Sequence, residues 1–312
     1  MLRASWTSSD PESGIAEYRY LIRSALSITP IMDWTSVGAA TSVTRDDLAL
    51  AQGEIYYFMV WAKNGAGLWS QIGMSRNLYA DLTPPATPTS PPVEGLRVAD
   101  ADYDDNGFYW IYWSPTTDPD SWIDVYELQE QAGPDAPWTT MLIANTWETG
   151  VAGRLHGILY RYRVRARNRA GLWSDWSPPS DGIMVDMTRP QPATVSDDGV
   201  TTTSTATLHA TWTPARDPES GIAEYQYQIW EAQPQSSRVL VDWTSVGLST
   251  EFTRTNLPLK IGRTYQVFIR AINGAGLSWA ASSDGITVVA DTVPPVVKIT
   301  YPTNGMLLGA AK

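Results

Sequence analysis

Between Tyr160 and Ser177 the chain reads YRYRVRARNRAGLWSDWS, with Tyr160, Tyr162, Val164 and Ala166 apolar and Arg161, Arg163, Arg165 and Arg167 charged. A strict period of two predicts a β-strand with one buried face and one arginine-lined face, followed by a turn over Asn168, Ala170 and Gly171. The same frame recurs as Tyr56, Phe58, Val60 and Ala62, and as Tyr265, Val267, Ile269 and Ala271. Shorter alternating runs are Leu2, Ala4 and Trp6; Leu208, Ala210 and Trp212; Tyr18, Tyr20 and Ile22; and Tyr225, Tyr227 and Ile229. No stretch shows a sustained helical period, so the chain is predicted to be all-β.

These runs belong to an internal repeat. DPESGIAEY stands at both 10–18 and 217–225, DWTSVG at 33–38 and 242–247, and NGAGL at 64–68 and 273–277. Trp34, Trp138 and Trp243 are separated by 104 and 105 residues (138 − 34 and 243 − 138), as are Asn64, Asn168 and Asn273. Three copies of one module follow. Proline-rich segments at Asp81–Pro92, Asp186–Pro192 and Asp291–Pro295 close each copy, which places modules at 1–83, 84–188 and 189–292. Such connectors are stiff and extended, so the modules are predicted to stand end to end as an extended rod, on the order of 100 Å long for strands of about 9 residues. Met1 aligns with Ala206, so the first module is expected to lack its first strand. Residues 293–312 read either as the start of a further β domain in a longer repeat protein or as a donor strand for another subunit.

The Trp of the second strand, the Y-x-V-x-V-x-A-x-N run and the glycine turn after it resemble fibronectin type III domains across essentially the whole chain. That resemblance implies three tandem immunoglobulin-like β-sandwiches in which Tyr56, Tyr160 and Tyr265 each close a tyrosine corner. The DPESGI and NGAGLWS wording is similar to tandem repeats of large bacterial secreted or surface proteins, which implies an extracellular or cell-surface location. WSDWS at 173–177 resembles the W-S-x-W-S box of cytokine receptors, built on the same fold. There, tryptophans and arginines interleave as a cation–π ladder. The resemblance implies a structural ladder of Arg161, Arg163, Arg165, Arg167, Trp173 and Trp176, in the middle module alone. Aromatic packing without ordered stacking accounts for the same residues.

Composition narrows the partners. The formal charge is −11, which disfavours nucleic acid and anionic membrane surfaces, and no apolar run is long enough to span a bilayer. Cysteine is absent, so disulfides, thiol chemistry and Cys-based metal sites are excluded. There are 15 Trp and 15 Tyr against 4 Phe, an aromatic supply suited to thin sandwiches whose rings combine apolar area with a polar edge.

Candidate chemistry is sparse. Asp102, Asp104 and Asn106 satisfy the start of a calcium loop, but the bidentate acid expected later falls on Trp113, and an Asn-Gly hairpin turn explains the same residues. Trp110 and Tyr112 alternate with Tyr109, Ile111 and Trp113, and would form a carbohydrate platform if exposed, or pack against neighbouring strands. The acids of DPESG are adjacent in one loop and cannot face each other across a cleft. His156 and His209 have no convergent partners in the pattern.

The chain is therefore read as a non-catalytic structural or assembly protein: a spacer, surface-layer or filament component that associates with itself or with other surface proteins, possessing no cofactor other than the candidate Ca2+. The alternative is an adhesive or carbohydrate-binding accessory, with polysaccharide as partner, attached to a larger secreted enzyme.

Overall fold

The computed structural model describes residues 1–96, 99–232 and 236–298. It divides into two compact units, Met1–Val185 and Asp186–Lys312. The first contains two β-sandwiches with separate cores, and the second contains one. No helix occurs among the described residues.

In the first sandwich Leu2–Ser5 pairs with Ser42–Arg45, and the facing sheet runs Pro30–Gly38, Ile15–Ser24, Ile55–Asn64 and Gly73–Met74. The second has Glu148–Val151, Tyr109–Tyr112 and Val93–Gly95 in one sheet. Its other sheet runs Thr139–Ala144, Ile123–Ala132, Leu159–Asn168, Ile183–Val185 and Tyr103–Asp104, the last strand parallel. The second unit repeats this plan, with Val195–Asp197, Leu208–Trp212 and Glu251–Arg254 facing a larger sheet centred on Thr264–Asn273.

The period of two decides which side chains reach the core. Along Leu159–Asn168, Tyr160, Tyr162, Val164 and Ala166 are buried while the four arginines between them are half-buried. Tyr109, Ile111 and Trp113 close the middle core from the opposite sheet. Because the middle core uses Tyr and no Phe, hydroxyls must be satisfied inside it. Tyr109 and Tyr162 hydroxyls meet at 2.8 Å, Tyr162 donates to Glu130 at 2.8 Å, and Arg154 Nε pairs with the same carboxylate at 2.7 Å. Burial pushes both tyrosine pKa values up, so these hydroxyls keep their protons at neutral pH.

Residues 293–298 form no strand. The remainder of the segment read as a donor strand lies outside the described residues.

Candidate functional site

The outward face of Leu159–Asn168 carries an ordered stack. The Arg163 guanidinium lies 4.5 Å from the Trp138 and Trp176 ring centres, and Arg165 lies 4.5 Å from both Trp173 and Trp176. Arg167 caps the row 5.3 Å from Trp173. Each guanidinium is also held from the adjacent strand: Arg163 by Gln129 at 2.7 Å, Arg165 by Glu127 at 2.6 Å and Arg167 by Asp124 at 2.5 Å. Two expectations need correction. Arg161 stands outside the stack, with its Nε donating to the Asp181 carbonyl at 3.2 Å, because the segment that carries Trp173 and Trp176 is still paired with the strand there at Ser180 but has no indole after Trp176. Nor is cation–π stacking confined to the middle module, since Arg19 and Lys63 lie over Trp69 and Arg270 lies over Trp243. Trp138, Gln129, Glu127 and Asp124 are ladder members the sequence reading missed; the acids on alternate faces of 123–132 were the available signal.

The tyrosines at the head of each repeated strand act on backbone. Tyr56, Tyr160 and Tyr265 hydroxyls accept hydrogen bonds from the N–H of Ala51, Leu155 and Lys260 at 2.9, 3.0 and 2.9 Å. Serines supply a second repeated device. Ser174, Ser177 and Ser180 each donate a backbone N–H to Ala166, Val164 and Tyr162, and accept that residue's N–H at Oγ. Ser70, Ser75 and Ser283 make the same paired contacts with Ala62, Phe58 and Val267. The edge backbone is thereby satisfied where regular strand pairing has ended.

At the module connector a buried amide holds two carboxylates. Asn168 Nδ2 donates to Asp81 Oδ2 at 2.7 Å, to the Thr83 carbonyl at 2.9 Å and to Asp118 Oδ2 at 3.1 Å. Its Oδ1 accepts the Leu172 N–H at 2.8 Å, which fixes the amide's orientation. In the second unit Asn273 makes the same contacts to Asp186, Thr188 and Asp217 at 2.8, 3.0 and 3.0 Å. In the first module, Asn64 Nδ2 donates to Asp10 at 3.0 Å. The DPESG acids are thus structural: Asp10 and Asp217 receive Asn amides and the N–H groups of Ser13 and Ser220.

Two facing sheets with Tyr corners, a core Trp on the second strand and threefold repetition are now established. The chain is a tandem of fibronectin type III modules. No protein-family model matches it. It is 28% identical to exoglucanase B of Cellulomonas fimi over 290 residues, covering 89% of this chain and 23% of that protein. To endoglucanase B of Cellulomonas fimi it is 30% identical over 315 residues, covering 98% and 28%. To the prolactin receptor of Ovis aries it is 29% identical over 131 residues, covering 41% and 22%. The chain thus spans about a quarter of the length of the relatives it matches. Among solved structures, the FN1–FN3 domains of chicken CNTN1 align at 17% identity with a TM-score of 0.35, covering 93% of this chain and 94% of that one. A run of titin domains aligns at 17% identity with a TM-score of 0.45, covering 93% and 97%.

Within the middle fibronectin type III module the remaining candidates separate. Asp104 Oδ1 accepts the Asn106 N–H at 3.1 Å and the Gly107 N–H, while Asn106 Oδ1 accepts the Phe108 N–H at 2.9 Å. The Asp102–Gly107 segment therefore spends its acid on closing a turn. Trp110 and Tyr112 are half-buried, with rings 6.3 Å apart and stacked, and Trp110 lies over Gly150 of the paired strand. His209 Nδ1 lies 2.8 Å from Asp198.

Two features escaped the sequence reading. One is a cleft of about 480 Å³ lined by Pro119, Trp122, Tyr126, Asn145, Trp147 and Arg169. Trp122 is 69% exposed and Trp147 58% exposed. Trp122 has φ of 68°, where the sister modules have Gly14 at 69° and Gly221 at 66°. A bulky side chain in the left-handed region is strained, so this Trp is held there against its backbone preference. Arg169 replaces Gly65 and Gly274, the residues after Asn64 and Asn273. The other is an acidic cluster of Glu94, Asp100 and Asp181, with one carboxylate oxygen from each lying within 4.8 Å of the others. Burial pushes Glu94 up to about 8; Ser180 opposes this, and Asp100 and Asp181 add to it. Neither feature leaves a signal in local periodicity, since each joins residues distant along the chain.

Proposed function

We propose that this array is a non-catalytic extracellular spacer or assembly element whose modules are held to their connectors by the buried Asp–Asn–Asp contact. The supporting observation is the contact of Asp81 with Asn168 and Asp118, which draws the connector after the first module onto the second within one compact unit. Five hydrogen bonds reach the Asp81 carboxylate, from Asn168, Ser121, Gln52 and the Thr83 N–H and hydroxyl, so the connector is bound and not a free tether. The arginine–tryptophan stack braces the exposed sheet of the same module, and the net negative charge suits repeated copies that remain dispersed. Small-angle scattering of the chain tests this reading: Asn168→Ala broadens the distribution of interatomic distances relative to the wild type. Identical profiles with an intact fold would remove the connector's role. Electron microscopy then separates a spacer, seen as isolated particles, from a filament component, seen as continuous polymers.

A second reading is favoured by the strained Trp122. Two exposed indoles beside Asn145 and Arg169 combine stacking surface with hydrogen-bonding groups, the chemistry that holds a sugar ring. The related proteins named exoglucanase B and endoglucanase B make an accessory module of a secreted polysaccharide-degrading enzyme the natural setting. Pull-down with insoluble polysaccharide should retain the wild type and lose Trp122→Gly if the cleft is the site, or lose Trp110→Ala if the half-buried pair is. No retention of the wild type on any polysaccharide ends this reading.

A further inference from the structure

The cluster of Glu94, Asp100 and Asp181 is built differently from the surface acids around it. Glu94 lies on Val93–Gly95 opposite Ile111, and its side chain turns between the two sheets towards Ser180, whose hydroxyl donates to Oε1. The residue is fully buried, and its Oε2 has no hydrogen-bond partner. A buried carboxylate oxygen left without a donor is costly, and natural structures give such an atom a partner. The chain brings the carboxylates of Asp100 and Asp181 close to the Glu94 carboxylate, although like charges would only worsen the penalty.

The backbone favours this convergence. Gly95 has φ of 145°, and a Cβ there would meet the Ala99 carbonyl oxygen at 2.1 Å. Only glycine allows the chain to fold back so tightly, with the Ala101 N–H donating to the Glu94 carbonyl at 2.8 Å and Asp100 brought beside Glu94. Asp181 arrives from the segment carrying the paired serines. The nearby Arg161 spends its Nε on the Asp181 backbone carbonyl.

We infer that Glu94, Asp100 and Asp181 form a binding site for a hard divalent cation, calcium by its all-carboxylate oxygen set, which clamps the first strand of the middle module to its last. Asp100 and Asp181 are exposed, so the site opens to solvent and water completes the six to eight oxygens that calcium takes. The third module provides an internal comparison. Asp197 pairs with Ala210 as Glu94 pairs with Ile111, and its Oδ2 is likewise buried without a partner, but that position gathers no cluster of three acids among the described residues. One site per chain is therefore expected.

Calorimetric titration of the full chain with CaCl2 at pH 7.5, after treatment with EDTA, tests the site. The wild type should bind one calcium and melt at higher temperature in its presence. Glu94→Gln and Asp181→Asn should each weaken binding at least tenfold, while Asp104→Asn, in the separate Asp102–Gly107 turn, should leave it unchanged. Because Glu94→Gln replaces a buried acid, costly to ionise there, with a neutral amide of nearly the same shape, that variant should fold in EDTA with a melting temperature no lower than the wild type's, so lost binding cannot be ascribed to unfolding. The inference is overturned if the wild type melts identically in calcium and EDTA, as a shared proton in place of a cation would produce. It is equally overturned if Asp104→Asn abolishes binding and Glu94→Gln does not.

Discussion

Asn168 Nδ2 reaches Asp81 Oδ2 at 2.7 Å although 87 residues separate them, and the fully buried amide also holds Asp118. Removing the amide leaves two carboxylates facing each other with a donor gone. Asn168→Ala is expected to lower stability by about 2–4 kcal/mol, more than an ordinary surface change. Urea unfolding checks this through the midpoint at constant slope. A loss below about 0.5 kcal/mol would show that the contact is incidental.

The same contact predicts an acid sensitivity. Desolvation pushes Asp81 up, but hydrogen bonds from Ser121, Gln52 and Thr83 outweigh it and hold the carboxyl below its ordinary 3.8. Asp186 is held low in the same way, with Ser220 and Thr188 outweighing desolvation. A depressed folded-state pKa means that the unfolded chain binds the proton more tightly. The stability it contributes is fully present above the unfolded value and is lost as pH falls through the folded one. Melting temperatures of the wild type should therefore fall more steeply between about pH 5 and pH 2 than those of Asp81→Asn. Parallel curves would contradict the assignment.

The arginine row is not energetically uniform. Arg165 stacks on two indoles and neutralises Glu127, whose carboxylate is nearly buried. Arg165→Ala should cost about 2–3 kcal/mol, from two lost stacks and an uncompensated acid. Arg161→Ala, outside the stack, should stay within about 0.5 kcal/mol. Thermal melts of the pair suffice, and equal losses would mean that the row acts only by its aliphatic cover.

Trp122 offers a stabilising change. Trp122→Gly removes left-handed strain of about 1–2 kcal/mol and adds roughly 0.5–1 kcal/mol of unfolded-state freedom, so a net gain of up to about 1.5 kcal/mol is expected. Trp122→Ala keeps a Cβ at positive φ and should gain nothing. If both variants lose stability alike, the indole is packed and not strained for access.

Much of the architecture was legible because it rests on local and repeated signals. Alternation at Tyr160, Tyr162, Val164 and Ala166 specified both strand and buried face, since a one-residue slip would turn the arginines inward. The repeats at Asn64, Asn168 and Asn273 located equivalent turns, but not the carboxylates those amides hold. The stack was legible in its arginines and in Trp173 and Trp176, yet Trp138 and the acids of 123–132 joined only once the strands were paired. Arg161 carries the same pattern as its neighbours and falls outside the stack because the partner segment, still paired at Ser180, offers a backbone carbonyl and no indole there.

By itself, then, the sequence determined the all-β class, the threefold module and the inward aromatic set, because period and repetition are properties of the chain read along its length. Tertiary structure alone decided that Asn168 pins Asp81, that Trp122 stands in a left-handed conformation at an open cleft, and that Glu94 meets Asp100 and Asp181. Each of these depends on the approach of segments whose relative position no local pattern encodes, and on burial, which turns an ordinary acid or amide into one that must find a partner.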